Sequence, residues 1–261
     1  KFKKFNYKLF IFFYLSNIKY YDKEYIDLIT IMNDLTLIIP AKNESESLPQ
    51  VIDSLKNLTC KIKVSVQVND QATINSIKNK NIEIFYQSGK GYGNALKEAI
   101  NDCKTKYFCI FNADGSFEHK DLFKMYELIQ ENDFVYTTRY ETGGGSEDDT
   151  IITYIGNKFF SKLGNILFSL KISDILYTYL MGKTSSYKSL GVQSNDFRFC
   201  VELPIKMQIS LVKYKCLPSY EKKRIAGKKK VNAFVDGSLI LIEMLKLFFY
   251  FKVFRNKGVD Q

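Results

Sequence analysis

The sequence predicts an α/β fold, a mainly parallel, doubly wound sheet flanked by helices with an amphipathic helix at its C-terminal end. Three observations predict it. Apolar runs of strand length recur through residues 35–138 and alternate with stretches of helical period. Each run ends in a polar or glycine-rich cluster, as loops at the carboxyl ends of parallel strands do. The chain has 261 residues, 46% hydrophobic and 25% charged, which is enough apolar side chain for a core and too little charge for a disordered chain.

The elements follow in order. Residues 35–39 (Leu-Thr-Leu-Ile-Ile) read as a buried strand, and Pro40-Ala-Lys-Asn-Glu44 as the loop at its end. Residues 46–57 read as a helix, because Leu48, Val51, Ile52 and Leu55 share one face. A second strand, 63–68, ends at Asn69-Asp70, and a third covers 82–86. Gly89-Lys-Gly-Tyr-Gly93 then opens a helix that runs to Ile100. Residues 107–111 form the fourth strand, running into Asn112-Ala-Asp114, and 133–138 the fifth. Residues 150–170 are helical, with Ile151, Ile155, Phe159 and Leu163 on one face, and 197–210 give a helix or a strand–helix piece.

Residues 237–254 are apolar but broken by Glu243 and Lys246. Crossing a bilayer takes about 20 apolar residues, so this helix belongs in an interface, with lipid or with protein. Three segments result: an N-terminal extension, 1–31; a main α/β domain, 32–233; and an amphipathic membrane-interface or packing helix, 234–261. Met32 reads as a natural start, and the apolar run 10–15 is too short to span a membrane.

The net charge of +10 is local: residues 1–31 carry +3 and residues 213–230 carry +7, so the rest is neutral. Such clustering suits an anionic surface or a phosphate. Basic side chains interleaved with stacking aromatics are missing, which excludes nucleic acid as a partner. The five cysteines (60, 103, 109, 200, 216) lack paired metal-ligand spacing and read as reduced core residues, and His119 stands without a partner motif. Gly89-x-Gly-x-Gly lacks the dinucleotide-binding spacing, so a dehydrogenase is excluded.

Taken together, these motifs resemble the family-2 inverting glycosyltransferases of the Rossmann-like glycosyltransferase A fold. More narrowly, the chain is similar to the dolichyl- or polyprenyl-phosphate sugar synthases. The resemblance runs from Leu35 to Lys230. It is carried by residues 38–44 (Ile-Ile-Pro-Ala-Lys-Asn-Glu), the turn Val68-Asn-Asp-Gln-Ala72, Lys90-Gly-Tyr-Gly-Asn-Ala95, Asn112-Ala-Asp114, and Thr138-Arg-Tyr140 with Gly143-Gly-Gly145. Gly156-Asn157, Asp174, Glu202 and Arg224-Ile-Ala-Gly-Lys-Lys-Lys230 follow in the family's order.

The resemblance implies a nucleotide-sugar donor held by Pro40, Ala41, Asn43, Glu44, Asn69 and Asp70, with Pro40, Ala41, Glu44 and Asp70 on base and ribose. Lys90, Gly91 and Asn94 join this set at the glycine-rich helix start, where backbone N–H groups suit phosphate. Asn112, Ala113 and Asp114 complete it at the diphosphate, with Asp114 and Asn112 as ligands to Mg²⁺ or Mn²⁺. Catalysis would rest on Asp114, Arg139, Arg224 and Lys230. The acceptor implied is a polyprenyl phosphate, whose oxyanion needs positioning by positive charge more than a general base. The protein would then sit peripherally on the anionic cytoplasmic face of the cell membrane, with residues 222–230 as a lid or as a loop touching acidic lipid. Alternatives are a soluble polysaccharide precursor as acceptor, or a nucleotide-sugar-binding scaffold without turnover. Four departures stand out: Asn69 and Asn112 replace aspartates, Lys229 replaces the serine of the basic signature, and Glu147-Asp-Asp149 stands where a second arginine is expected.

Overall fold

The computed structural model describes residues 32–254, apart from Lys228, and side chains as far as Phe251. The expected 1–31 extension therefore lies outside the described residues, as does the end of the expected 234–261 segment. Seven strands form one sheet: β1 (Leu35–Ala41), β2 (Lys61–Val66), β3 (Glu83–Tyr86), β4 (Tyr107–Ile110), β5 (Phe134–Thr138), β7 (Leu180–Lys183) and β8 (Tyr214–Pro218). Their order is β3-β2-β1-β4-β7-β5-β8, and β6 (Gly145–Ser146) pairs with β9 (Tyr220–Glu221) in a separate parallel ribbon. All pairings in the large sheet are parallel except those of β7, which runs antiparallel to β4 and β5.

The apolar runs form central strands because both faces of the sheet are covered. On one face Leu37, Ile39, Cys109 and Val135 pack with α1 (Leu48–Ser54) and α4 (Asp121–Leu128). On the other, Ile38, Phe108, Ile110 and Phe134 pack with α3 (Tyr92–Asn101), α7 (Phe199–Ile209) and α8 (Ala233–Phe248). Neighbours in the strand thus alternate between two cores, as period-2 geometry requires. The order and layering are those of a glycosyltransferase A-like fold, with the C-terminal helix in place.

Several elements lie beyond the sequence expectation. These are α2 (Gln71–Ile77), α4, the short α6 (Thr184–Leu190), β7 and β8. Four residues are too few to show a period, and β7 contains Gly182, where a Cβ would come within 2.6 Å of Phe134 and 2.8 Å of Phe108. Part of the basic stretch 213–230 is also ordered differently from a continuous loop: residues 214–218 close the sheet edge as β8. Helix α5 (Ile151–Phe168) begins at Thr150, whose side chain caps the Thr153 N–H in a reciprocal capping box. Helix α8 begins at Ala233, earlier than the expected 237, because Asn232 Oδ1 accepts from the Phe234 and Val235 N–H groups, both at 3.1 Å. Among the described residues no helix is long and apolar enough to cross a membrane.

Candidate active site

A cavity of about 690 Å³ opens at the carboxyl ends of β1 and β4. It gathers residues from far apart in the chain: Pro40 and Ala41 at the end of β1 and Glu44 after it, Asn69 after β2, Lys90 and Gly91 before α3, Asn112, Ala113 and Asp114 after β4, Arg139 after β5, and Arg224 and Lys230 after β9. Ligands in α/β sheets bind at this edge, where strands end and helix N-termini begin.

Three residues of the expected donor-binding set do not line the cavity. Asp70 caps α2 through the Thr73 N–H (3.3 Å) and accepts from the Asn43 N–H (2.6 Å), so both residues serve to fix the two loops together. Asn94 is buried, donating to Glu98 Oε1 (2.8 Å) and accepting from Gln87 (3.3 Å). Its backbone N–H is taken by Asn195 O at 2.9 Å. The neighbouring glycines serve this packing: Gly91 has φ +107°, and a Cβ there would lie 2.1 Å from Asn195 O. The glycine-rich start is therefore a seat for residues 194–196 as well as a cavity wall.

Asp114 follows β4 with Oδ1 accepting from the Ser116 N–H at 3.0 Å. Gly115 sits at φ +80°, a left-handed conformation that favours glycine, and leaves room for Ile225, whose Cδ1 would be 2.4 Å from an added Cβ. The backbone after β9 docks here: Lys222 N–H donates to Ser116 O and Ile225 N–H to Asp114 O, both at 2.8 Å. Arg224 thereby comes to the cavity, with Nη1 3.6 Å from Asp114 Oδ2 and a two-point contact to Asp148 (3.1 and 2.7 Å). Lys229 joins the same carboxylate at 3.3 Å, and Lys230 pairs with Glu44. Burial would raise the Asp148 carboxyl, but hydrogen bonding to Arg224 and the charges of Arg224 and Lys229 hold it below the usual range.

Arg139 departs most from the sequence expectation. Its guanidinium is nearly buried and donates to Asp174 from Nε (2.7 Å) and Nη2 (3.0 Å), and to Glu221 from Nη1 (2.8 Å). Asp149 lies 3.8 Å away and the Tyr177 ring 4.5 Å from the guanidinium carbon. Burial alone would lower its pKa; the Asp174 hydrogen bonds and the Asp174 and Glu221 charges raise it instead. An arginine so committed braces the cavity wall and has little left to offer a phosphate. Lys42 and Lys90 line the same cavity and make no ion pair with any described residue.

The expected divalent ion has a modest but suitable donor set. Asp114 supplies a carboxylate, and Asn112 donates from Nδ2 to Ser116 Oγ (3.4 Å), which leaves its carbonyl oxygen for a cation. Among the described residues no group of three or more His, Cys, Asp or Glu side chains could hold a metal. The fit is therefore to a Mg²⁺-like ion bound mainly by phosphate oxygens and water, anchored by one carboxylate.

Residues 36–191 match the model of glycosyl transferase family 2. The chain belongs to that family. Over 215 residues it is 22% identical to glycosyltransferase AglJ of Haloferax volcanii, covering 80% of this chain and 70% of the relative. It is also 22% identical over 209 residues to an uncharacterized glycosyltransferase of Mycobacterium tuberculosis, covering 80% and 94%. In fold it is similar to mannosyl-3-phosphoglycerate synthase from Rubrobacter xylanophilus (TM-score 0.63, 14% identity, 86% of this chain and 74% of the other). Glucosyl-3-phosphoglycerate synthase from Mycobacterium tuberculosis, solved with Mn²⁺, UDP and glucosyl-3-phosphoglycerate, matches with a TM-score of 0.61 at 12% identity over 83% and 80% of the two chains.

This family 2 glycosyltransferase also places in the cavity residues that the sequence did not single out. Gln67 and Gln87 line it, Tyr177 lies against Arg139, and Asp196 precedes Phe197, whose ring stacks on Tyr92 (centroids 5.1 Å apart). Asp148 and Asp149 also line it. The acidic run 147–149 signalled an unusual site but could not reveal which cation each acid meets.

Proposed function

We propose that this glycosyltransferase moves a sugar from a nucleotide-sugar donor to a polyprenyl phosphate, bound peripherally at the cytoplasmic face of a membrane. The observation that carries the lipid reading is an exposed apolar face beside the cavity. On α5, Ile151 is 79% and Ile166 68% exposed, with Ile155 and Phe159 also exposed, and on α8 Phe234 is 83% exposed, with Val235 and Ile242 exposed as well. The two helices pack together, and Ile152, Phe160 and Ile240 from the same pair line the cavity itself. Apolar surface of this kind marks an interaction site, and the lysines at 222, 223, 229 and 230 suit anionic headgroups. On this reading α8, which covers the start of the 234–261 segment, is the membrane-interface helix.

The chemistry asks for positioned charge. An ionised phosphate oxygen of the acceptor forms the new bond to the anomeric carbon as the bond from that carbon to the donor diphosphate breaks, so negative charge gathers on the leaving diphosphate. Arg224 and Lys230 stand at the cavity to hold the two anions in line, and Lys90 and Lys42 add uncommitted positive charge. Asp114 and Asn112 would hold Mg²⁺ or Mn²⁺, which would supply further neutralisation of the diphosphate. The solved relative that holds Mn²⁺ and UDP supports a donor of this class.

That relative was solved with a glucosylated phosphoglycerate, which favours a second reading, a small phosphorylated acceptor served by the same cations. The deciding experiment incubates purified full-length protein with Mn²⁺, labelled sugar nucleotides, and either polyprenyl phosphate or 3-phosphoglycerate. A labelled lipid product is expected. Its absence with every donor sinks the lipid reading, and transfer to phosphoglycerate alone would establish the second.

A further inference from the structure

Three basic residues of the loop after β9 are already matched to acids of the body. Arg224 holds Asp148 in a two-point contact, Lys229 reaches both the carboxylate (3.3 Å) and the backbone carbonyl (2.5 Å) of Asp148, and Lys230 meets Glu44. An anion that pairs with Arg224, Lys229 or Lys230 has to take one of these carboxylates' places. Which acid yields follows from how each is held. Asp174 is fully buried and accepts from Arg139 and Asn157. Glu44 is buried and accepts from Ser47 Oγ at 2.9 Å. Asp148 lines the cavity on the short turn before α5 with its side chain 11% exposed, and among the described residues its carboxylate pairs only with Arg224 and Lys229. It can swing away without opening the core.

We propose that Asp148 is a built-in competitor for a phosphate anion: its carboxylate occupies Arg224 and Lys229 and is displaced when the phosphate arrives. Resting on the reading of an anionic acceptor, this makes Asp148 a positioning residue that sets how tightly the site takes its anions. It also accounts for an acid where the family's pattern has a second arginine. The exchange conserves charge pairing, one carboxylate leaving as one phosphate enters, so the loop backbone stays docked on Asp114 and Ser116 throughout. The shared chemistry is a phosphate oxyanion, which either the acceptor's phosphate or the donor's diphosphate can supply.

The test titrates full-length protein with inorganic pyrophosphate. Asp148→Asn is expected to bind it about tenfold more tightly than the wild type, since a close competing charge is gone, and Asp148→Glu to return the wild-type value. Unchanged or weaker binding by Asp148→Asn overturns the proposal, because a merely structural carboxylate would lose loop order without freeing Arg224. Should that variant fail to fold, hydrogen exchange on the wild type decides. Pyrophosphate is expected to speed exchange of the Asp148 and Asp149 N–H groups, which donate to Ser146 Oγ at 3.1 and 2.9 Å, while the Ile225 N–H stays protected. No change in the turn overturns it. Steady-state kinetics separate the sources: a lower KM for polyprenyl phosphate assigns the displacement to the acceptor, and a lower KM for the sugar nucleotide assigns it to the donor. Pyrophosphate binding needs neither lipid nor turnover. Tightened binding in a protein that transfers nothing to polyprenyl phosphate therefore refutes the acceptor reading and leaves the competitor standing.

Discussion

Arg139 and Asp174 meet in a two-point contact at the cavity wall, with Nε 2.7 Å from Oδ2 and Nη2 3.0 Å from Oδ1. Asp174 also accepts from the Arg139 backbone N–H (3.1 Å) and from Asn157 Nδ2 (2.5 Å), and it is fully buried. The pair ties the end of β5 to the stretch before β7. Removing one partner of such a pair leaves the other charge buried and unmatched, so Asp174→Ala is expected to cost about 3–5 kcal/mol. Urea unfolding measures it. Arg139→Lys keeps the charge but loses the fork that fits a carboxylate at two points, and should cost less than Asp174→Ala. A loss below about 1 kcal/mol for Asp174→Ala would mean that Glu221 and Asp149 already suffice.

Asp114 offers a different balance, with little structural burden and a central place in the chemistry. Its side chain accepts from the Ser116 N–H and lies 3.6 Å from Arg224 Nη1, while the hydrogen bond that docks the loop, from the Ile225 N–H, is to its backbone carbonyl and survives side-chain removal. Asp114→Ala should therefore unfold within a few degrees of the wild type while kcat falls by about 10²–10³, the usual effect of removing one preorganised charge-stabilising group. The reverse experiment restores a carboxylate: Asn112→Asp is expected to lower the Mn²⁺ concentration needed for half-maximal activity, since a hard cation prefers a charged oxygen. Equal Mn²⁺ requirements in wild type and Asn112→Asp would remove Asn112 from the ligand set.

The contrast between these two residues shows what the sequence could carry. Asp114 was legible because a buried strand announces itself as an apolar run and its terminal acid then falls at the sheet's binding edge. The strands β1, β2, β4 and β5 were legible for the same reason. Strand β7 was hidden by its length and by Gly182, and β8 by Lys213 and Lys215, which made a sheet edge look like part of a basic loop. The partners of Arg139 and Arg224 were hidden more deeply. Asp174 lies 35 residues from Arg139 and Asp148 lies 76 from Arg224, and which carboxylate meets which guanidinium is a product of tertiary packing. Composition fixes the number of charges but leaves their pairing open.

Glu202 provides a test by pH. It is buried on α7, accepting from the Gln193 and Ser194 N–H groups (2.9 and 2.7 Å) and pairing with Lys206 at 2.7 Å. Burial would raise its pKa, yet Lys206 and the Ser194 and Gln193 hydrogen bonds hold it below the ordinary 4.5. A carboxyl depressed in the folded state stabilises fully above its unfolded value and loses that contribution as pH falls through its folded value. The stability difference between wild type and Glu202→Gln should therefore be constant above pH 4.5 and shrink below it. Urea unfolding across this range measures it, and a difference that grows in acid would contradict the assigned hydrogen bonds.

The apolar face of α5 and α8 is the last test, and it separates the lipid reading from a soluble one. Ile155 and Phe234 are exposed and lie outside the cavity lining, so replacing them leaves the site intact. Transferring a large apolar side chain from water into lipid is worth about 1.5–3 kcal/mol, so Ile155→Asp and Phe234→Asp should each weaken binding to anionic vesicles by about tenfold or more. Raising the salt concentration should weaken wild-type binding as well, because the lysines at 222, 223, 229 and 230 act through a screened field. Turnover of a water-soluble short-chain acceptor should survive both substitutions, while turnover of a long-chain acceptor in vesicles falls with binding. Sedimentation with vesicles and parallel rate measurements read both quantities. Vesicle binding that ignores the substitutions and the salt would leave this face to a protein partner or a second copy of the chain, and the lipid acceptor would lose its main support.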